Sequence, residues 1–423
     1  MNWRTSLTPG DVGFSYSKTL VATGGSGSGY TWSITLGVLP DGLSLAASTG
    51  VISGPPTTAG GPTSITFKVT DSIGGSVNKA LSITISNPGL LRIQTSPAVS
   101  TTISLNGVQR DDWALNWVKM PAGSYSLSFS DVYGYSTPTS VTVNYYPGTM
   151  GNVQPLNSPI VVSPDVVTEV VANFAQQGSL RVQTSPPMPA TVYCNGQAMD
   201  DWAAWTNIAP GSYTISFQPV NGYITPAPQV ATVNAGANTI ITGTYVLGAN
   251  VVAPVPHGLL RVQTSPAVPT TIFLNGIQRD DWALNWVQLA PGSYSLSFKD
   301  AYNYATPTSV TVNYYPGTLG NVQPLTSPIV ITDGVVTEVI ANFTLLGNLR
   351  VETSPATAAT IFVNGQPMDD WAVWTNIAPG SYTISFQQVT GLLTPPPITV
   401  TVISGQLTHV TGNYTLGTTS VVP

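Results

Sequence analysis

The sequence predicts an all-β chain, a tandem array of small β-sandwich domains. Three observations carry that expectation. The 423 residues are only 7% charged yet hold 40 Gly and 36 Pro among many Thr, Ser, Val and Tyr. That mixture favours short strands joined by tight turns over helices. Short runs such as Leu180-Arg-Val-Gln-Thr184 alternate apolar and polar residues, the period of a half-buried strand. Finally, the segment Leu-Arg-(Ile/Val)-(Gln/Glu)-Thr-Ser-Pro recurs around Arg92, Arg181, Arg261 and Arg350, at spacings of 89, 80 and 89 residues.

The spacings define an A-B-A-B array whose two-module unit repeats every 169 residues. The A modules are nearly the same sequence: Arg110-Asp-Asp-Trp-Ala-Leu-Asn-Trp-Val118 recurs at 279–287. The expected divisions are 1–88, an N-terminal domain; 89–178, A1; 179–248, B1; 249–258, a linker; 259–347, A2; 348–417, B2; and 418–423, a tail. Two prolines, Pro254 and Pro256, are expected to keep the linker extended.

In the N-terminal domain, Asp11–Tyr16, Lys18–Thr23 and Ser64–Asp71 read as strands, with tight turns at Leu39-Pro-Asp-Gly-Leu43 and Thr49-Gly-Val-Ile-Ser-Gly54. Module B1 opens with the strand at Leu180, broken by Pro186–Pro189, and continues with Thr191–Cys194. Asn195-Gly196 then predicts a hairpin, because both residues tolerate positive φ; the same dipeptide stands at 106, 275 and 364. Further strands follow at Tyr213–Phe217 and Gln229–Val246. The A modules carry about twenty extra residues, near 145–164 and 314–333, read as an added hairpin or long loop.

Composition excludes several function classes. Net charge is −6, with no basic patch to neutralise phosphates, so no nucleic-acid partner is expected. No apolar run is long enough to span a membrane as a helix. Met1–Arg4 leads directly into strand-like sequence, so any export leader is expected to have been removed or to lie outside this chain. The single cysteine, Cys194, aligns with Leu105, Leu274 and Val363 and reads as a buried small hydrophobe. His257 and His409 fall near no motif, and no Ser-His-Asp or Cys-x-x-Cys arrangement is present.

One motif stands out. Asp-Asp-Trp occurs at Asp111-Asp112-Trp113, Asp200-Asp201-Trp202, Asp280-Asp281-Trp282 and Asp369-Asp370-Trp371. A second tryptophan follows each copy: Trp117, Trp205, Trp286 and Trp374. A catalytic centre is built once per chain, whereas a knot or contact patch is built once per module. Three readings fit. The first is a module lock, in which Arg92, Arg181, Arg261 and Arg350 are ion-pair candidates for the aspartates, which cap turns as well. The second is a contact surface, where Trp beside Asp and Asn suits sugar stacking or a neighbouring subunit. The third is Ca²⁺, for which the carboxylates are suitable ligands, although no Asp-x-Asp-x-Asp-Gly run is present. No cofactor or metal is expected. Two sequons, Asn342-Phe-Thr344 and Asn413-Tyr-Thr415, are glycosylation candidates.

The N-terminal domain resembles the immunoglobulin-like family of bacterial surface proteins, related to cadherin-like folds. Tyr30-Thr-Trp32, Leu39-Pro-Asp-Gly-Leu43, Thr49–Pro56 and Val69-Thr-Asp71 carry that resemblance. The repeats resemble PEGA-type β-sandwiches through Leu180-Arg-Val, Thr184-Ser-Pro186, Ala190–Tyr193, Asn195-Gly196, Ala209–Tyr213 and Gly222-Tyr223. Here Asp-Asp-Trp-Ala replaces the family's Gly-x-Thr-Pro-like segment, and the Glu-Gly pair is missing. Both resemblances imply surface display and transfer no catalytic residue.

The expected function is therefore a non-enzymatic extracellular structural protein: a rod of modules that self-associates as a surface filament, pilus-like fibre or S-layer. Exposed edges and the segments Met1–Thr5 and Gly417–Pro423 are candidates for strand addition. Alternatives are an adhesin stalk or carbohydrate-binding modules contacting glycan or cell surface, and a virion or phage-tail structural protein.

Overall fold

The structure is a computed structural model that describes residues 2–3, 5–248 and 256–417. Every regular element among them is a β-strand. The N-terminal domain pairs Gly10–Asp11, Ser76–Ser86, Gly60–Thr70 and Thr31–Leu36 in one sheet, against Tyr16–Thr19, Val51–Gly54 and Ser44–Leu45 in another. Trp32, Ile52, Ile65, Phe67 and Val69 fill the space between them. Asn2–Trp3 pairs with Ala22–Thr23, so part of the segment expected to be free for strand addition is already used. Residues 249–255 of the expected linker and the 418–423 tail lie outside the described residues.

Each repeat module is a sandwich closed by its own ends. In B1 the first strand, Gly178–Ser185, runs parallel to the last, Asn238–Thr244, and antiparallel to Ala203–Ile208. The facing sheet orders Gln197–Ala198, Val192–Cys194, Gly211–Phe217 and Gln229–Val233. Leu180, Val182, Val192 and Ile215 are fully enclosed between the two, and Cys194 sits with them. The four Asn-Gly pairs all take positive φ, at 49–51° for Asn and 72–79° for Gly, the geometry of a two-residue hairpin turn. That turn sets the register of the strand that leads into each Asp-Asp-Trp.

The A-module insertion is a hairpin, but it starts earlier than the sequence expectation placed it. Ser140–Tyr146 and Asn152–Pro155 add two strands beyond Val167–Asn173, making a five-stranded sheet. Ile160–Val162 then pairs with Gly123–Tyr125, the place that Gln229–Val233 holds in B1. Residues 314–333 of A2 differ in the same way, since Ser309–Tyr315 and Asn321–Pro324 form the added pair.

A hydrogen-bonded joint connects A to B inside each unit. The Gln177 N–H donates to Gly134 O while Gly236 N–H donates to Gln177 O; Leu346 is held the same way by Asn303 and Gly405. The expected rod is not what forms. A1 packs on B2 and A2 packs on B1, so the two A-B units lie face to face with local two-fold symmetry. Lys299 Nζ of A2 reaches Asp131 of A1, 4.0 Å away, between the units.

Candidate functional site: the Asp-Asp-Trp locks

The Asp-Asp-Trp loops lie where the modules meet. In A1, Asp111 ends the hairpin strand Val108–Asp111 and Asp112 follows it; the strand lies against Ala372–Ile377 of B2. The Asp111 and Asp112 carboxylates accept the Trp374 N–H (3.3 Å) and Asn376 N–H (2.5 Å). In return, Asp369 and Asp370 of B2 accept the Asn116 N–H (3.4 Å) and Lys119 N–H (2.8 Å) of A1. The second lock repeats the first. Asp280 and Asp281 accept from Trp205 (3.0 Å) and Asn207 (2.5 Å), and Asp200 and Asp201 accept from Asn285 (3.4 Å) and Gln288 (2.5 Å).

The two oxygens of each carboxylate divide the work. In every copy Oδ2 crosses to the other module. The first aspartate turns Oδ1 back to its own loop, as Asp111 does to Trp113 N–H (2.9 Å) and Asp369 to Trp371 N–H (2.9 Å). The second aspartate of the B modules takes a threonine hydroxyl, from Thr191 or Thr360, at 2.6 Å. Each lock thus shapes its own loop and grips the neighbour at once.

Sequence reasoning missed the residues just ahead of the motif. In A modules these are Gln-Arg. Gln109 and Gln278 donate across to the carbonyls of Asn376 and Asn207 and to the hydroxyls of Thr375 and Thr206. Arg110 donates to Met368 O (3.1 Å) and Arg279 to Met199 O (2.7 Å). The sequence does carry a signal: Gln-Arg precedes the motif in A, whereas Ala-Met or Pro-Met precedes it in B. That systematic difference marks two complementary halves.

All eight aspartates are at most 5% exposed. Burial raises the carboxyl pKa of Asp111 to about 7, and the facing Asp369 adds to the rise. Asp200 reaches about 7 through burial and its neighbour Asp280, and Asp280 about 6 chiefly through burial. Burial also lowers Arg110 to about 10, although Asp370 and Asp369 oppose it. Among the described residues no cluster of three or more His, Cys, Asp or Glu is disposed to hold a metal ion.

The expected Arg–Asp pairs do not form, because the aspartates face the neighbouring module and the arginines face the tryptophans. Arg92 pairs with Glu169 (2.7 Å), Arg261 with Glu338 (2.9 Å) and Arg350 with Glu352 (3.1 Å). Glu352 also meets His409 (2.9 Å). Each arginine stacks on the second tryptophan of its motif: Arg92 on Trp117, Arg181 on Trp205, Arg261 on Trp286 and Arg350 on Trp374, at 5.0–5.6 Å. The A modules need an extra trick. Their motif is one residue longer, and that residue is absorbed as a bulge opposite Arg92 or Arg261, with Trp117 and Trp286 at φ of 59° and 60°.

The tryptophans themselves stay at the surface, all eight between 39% and 49% exposed. Trp113 and Trp374 flank a groove of about 270 Å³ along the A1–B2 seam. A larger cleft, about 460 Å³ and of mixed polar and apolar lining, opens where A1, A2 and B2 meet, lined by Ser104, Ser128, Asn303 and Tyr302 among others. Both sequon asparagines, Asn342 and Asn413, are exposed at strand ends.

Comparison with known proteins identifies the N-terminal domain. Residues 4–86 match the family model described as "Putative Ig domain", so the N-terminal domain is Ig-like. No curated protein matches the sequence. Among solved structures, the chain is similar to the Bacillus anthracis TIE protein at 12% identity, covering 85% of this chain and 72% of that one, with a TM-score of 0.18. It is similar to the insect immune protein hemolin at 8% identity, covering 97% and 99%, with a TM-score of 0.17. SGBP-B of the Bacteroides ovatus mixed-linkage glucan utilization locus, in complex with a mixed-linkage heptasaccharide, matches at 11% identity, covering 78% and 87%, with a TM-score of 0.14. At these scores the likenesses speak to neither module arrangement nor binding.

Proposed function

We propose that the protein is a non-enzymatic extracellular structural protein, a subunit of a cell-surface filament or S-layer. The carrying observation is the lock. Each of the eight buried motif carboxylates uses its Oδ2 to accept a backbone N–H of a neighbouring module, the pattern of a structural clasp. A chain with few charges presents little repulsion between copies. Negative-stain microscopy of concentrated full-length protein tests the reading: ordered fibres or sheets are expected, and dispersed single particles at every concentration and in every buffer would sink it.

A second reading is favoured by a separate observation. Half-exposed indoles beside guanidinium and amide groups suit the apolar face and hydroxyls of a sugar ring. Under it the protein contacts glycan, as an adhesin does. Titration with polysaccharides would change tryptophan emission, and an unchanged spectrum with every glycan tried would exclude this role.

A further inference from the structure

The two locks are the same lock. Every side chain that crosses from A1 to B2 has its identical counterpart crossing from A2 to B1, from Gln109 and Gln278 to Asp112 and Asp281. The reverse contacts match as well, since Asp369 and Asp200 each grip the asparagine two residues before a bulge-closing valine, Asn116 and Asn285. Within one unit, A and B are joined by backbone hydrogen bonds at Gln177 or Leu346, and their own motifs point to other partners. Each unit therefore presents one A face and one B face, together complementary to a second unit's B and A faces. That is a self-complementary, two-fold contact of the kind that joins identical subunits. In this chain both halves of the contact are on one polypeptide.

We infer that the A-B units exchange between copies: unit 1 of one chain locks onto unit 2 of another, through the same Asp-Asp-Trp contacts that close the single chain. The inference rests on the self-assembly reading and specifies its mode. The bonds formed in exchange are the bonds broken, so exchange is balanced in contacts. What decides is concentration: a short connection holds the chain's own unit at an effective concentration of roughly 1 mM, and copies compete above that. Reciprocal exchange gives closed pairs. Exchange passed along from copy to copy gives an open string of identical two-unit beads. A second chain is thus the occupant that fits an opened face, since only an A or B module presents the required backbone amides beside its own buried carboxylates.

The test uses full-length protein. One batch carries an affinity tag and another does not; both are unfolded in denaturant, mixed, and refolded at high concentration or at high dilution. After concentrated refolding, tagged copies are expected to retain untagged ones, in species at whole multiples of the monomer mass by light scattering. Dilute refolding is expected to give monomers. Monomers alone under both conditions would overturn the inference. A companion chain, Gln109→Glu/Gln278→Glu, sets a carboxylate against the Asn376 and Asn207 carbonyls. Both glutamines bond across the seam, so the modules keep their sheet circular dichroism while co-retention is lost. If this variant assembles as well as the parent, assembly runs through another surface: exchange is refuted and the filament reading stands. Exchanged pairs that never lengthen into fibres under the microscope would support exchange and refute the filament reading.

Discussion

An aspartate buried against a backbone amide is in a divided position. The bond favours the charged form, whereas loss of water favours the neutral one. At Asp111, Asp200 and Asp280 burial wins, and their pKa values rise from 3.8 to about 7, 7 and 6. The native state then binds more protons than the unfolded chain between roughly pH 4 and 7, so stability conferred by these groups is greatest at the acid side and falls as pH rises through the native values. The melting temperature is expected to drop from pH 5 to pH 8. Asp111→Asn/Asp200→Asn/Asp280→Asn should flatten that slope, and an unchanged slope would refute the assignment. Asp112, whose carboxyl pKa burial also raises, accepts the Asn376 N–H across the seam. Asp112→Ala strands that amide in a buried seam and is expected to cost about 1–3 kcal/mol in denaturant unfolding. Hydrogen exchange at Asn376 should quicken while the Asn207 amide, in the other lock, stays protected.

Elements were the most legible level of the chain. Asn-Gly at 106, 195, 275 and 364 specifies its hairpins because few other pairs accept two positive φ values in succession. Alternation likewise marks the strand at Leu180, since only one face is buried. The A-module insertion was harder to bound: Ser140–Tyr146 and Asn152–Pro155 alternate like any strand, and nothing local tells which sheet receives them. Close packing supplies a further test. Gly412 and Gly243 face the rings of Phe386 and Phe217, where an added Cβ would lie 2.4 Å from ring carbon. Both rings are core residues, at most 7% exposed, with no room to retreat. Gly412→Ala is therefore expected to lower stability by about 1–3 kcal/mol through overpacking, measured by thermal unfolding; a neutral result would mean that the B2 sheets slide apart more easily than their packing implies.

At the scale of the molecule the sequence was least informative, and the reason is physical. The motif could be singled out by its repetition, but its partners are backbone N–H groups, which every residue except proline carries. Nothing in the spelling of Trp374-Thr-Asn376 identifies it as the counterpart of Asp111 and Asp112, more than 260 residues earlier. A rod and a folded-back pair of units were thus equally compatible with the repeats, and the lock could only be placed as internal to a module or between modules. Compaction provides the corresponding measurement. Gln109→Glu/Gln278→Glu is expected to increase the radius of gyration in small-angle scattering with sheet content retained. An unchanged radius would show that contacts such as Lys299–Asp131 suffice to hold the units together.

The parallel pairing of first and last strands, Gly89–Ser96 with Val167–Asn173 and its equivalents, has a mechanical consequence. Force entering a module at one end and leaving at the other loads all the bonds of that ladder together, in shear, so a sandwich resists until many break at once. The seam between units has no such ladder. Tension applied between the N-terminal domain and B2 is expected to open the seam first, bond by bond, and to lengthen the folded-back chain while the sandwiches stay intact.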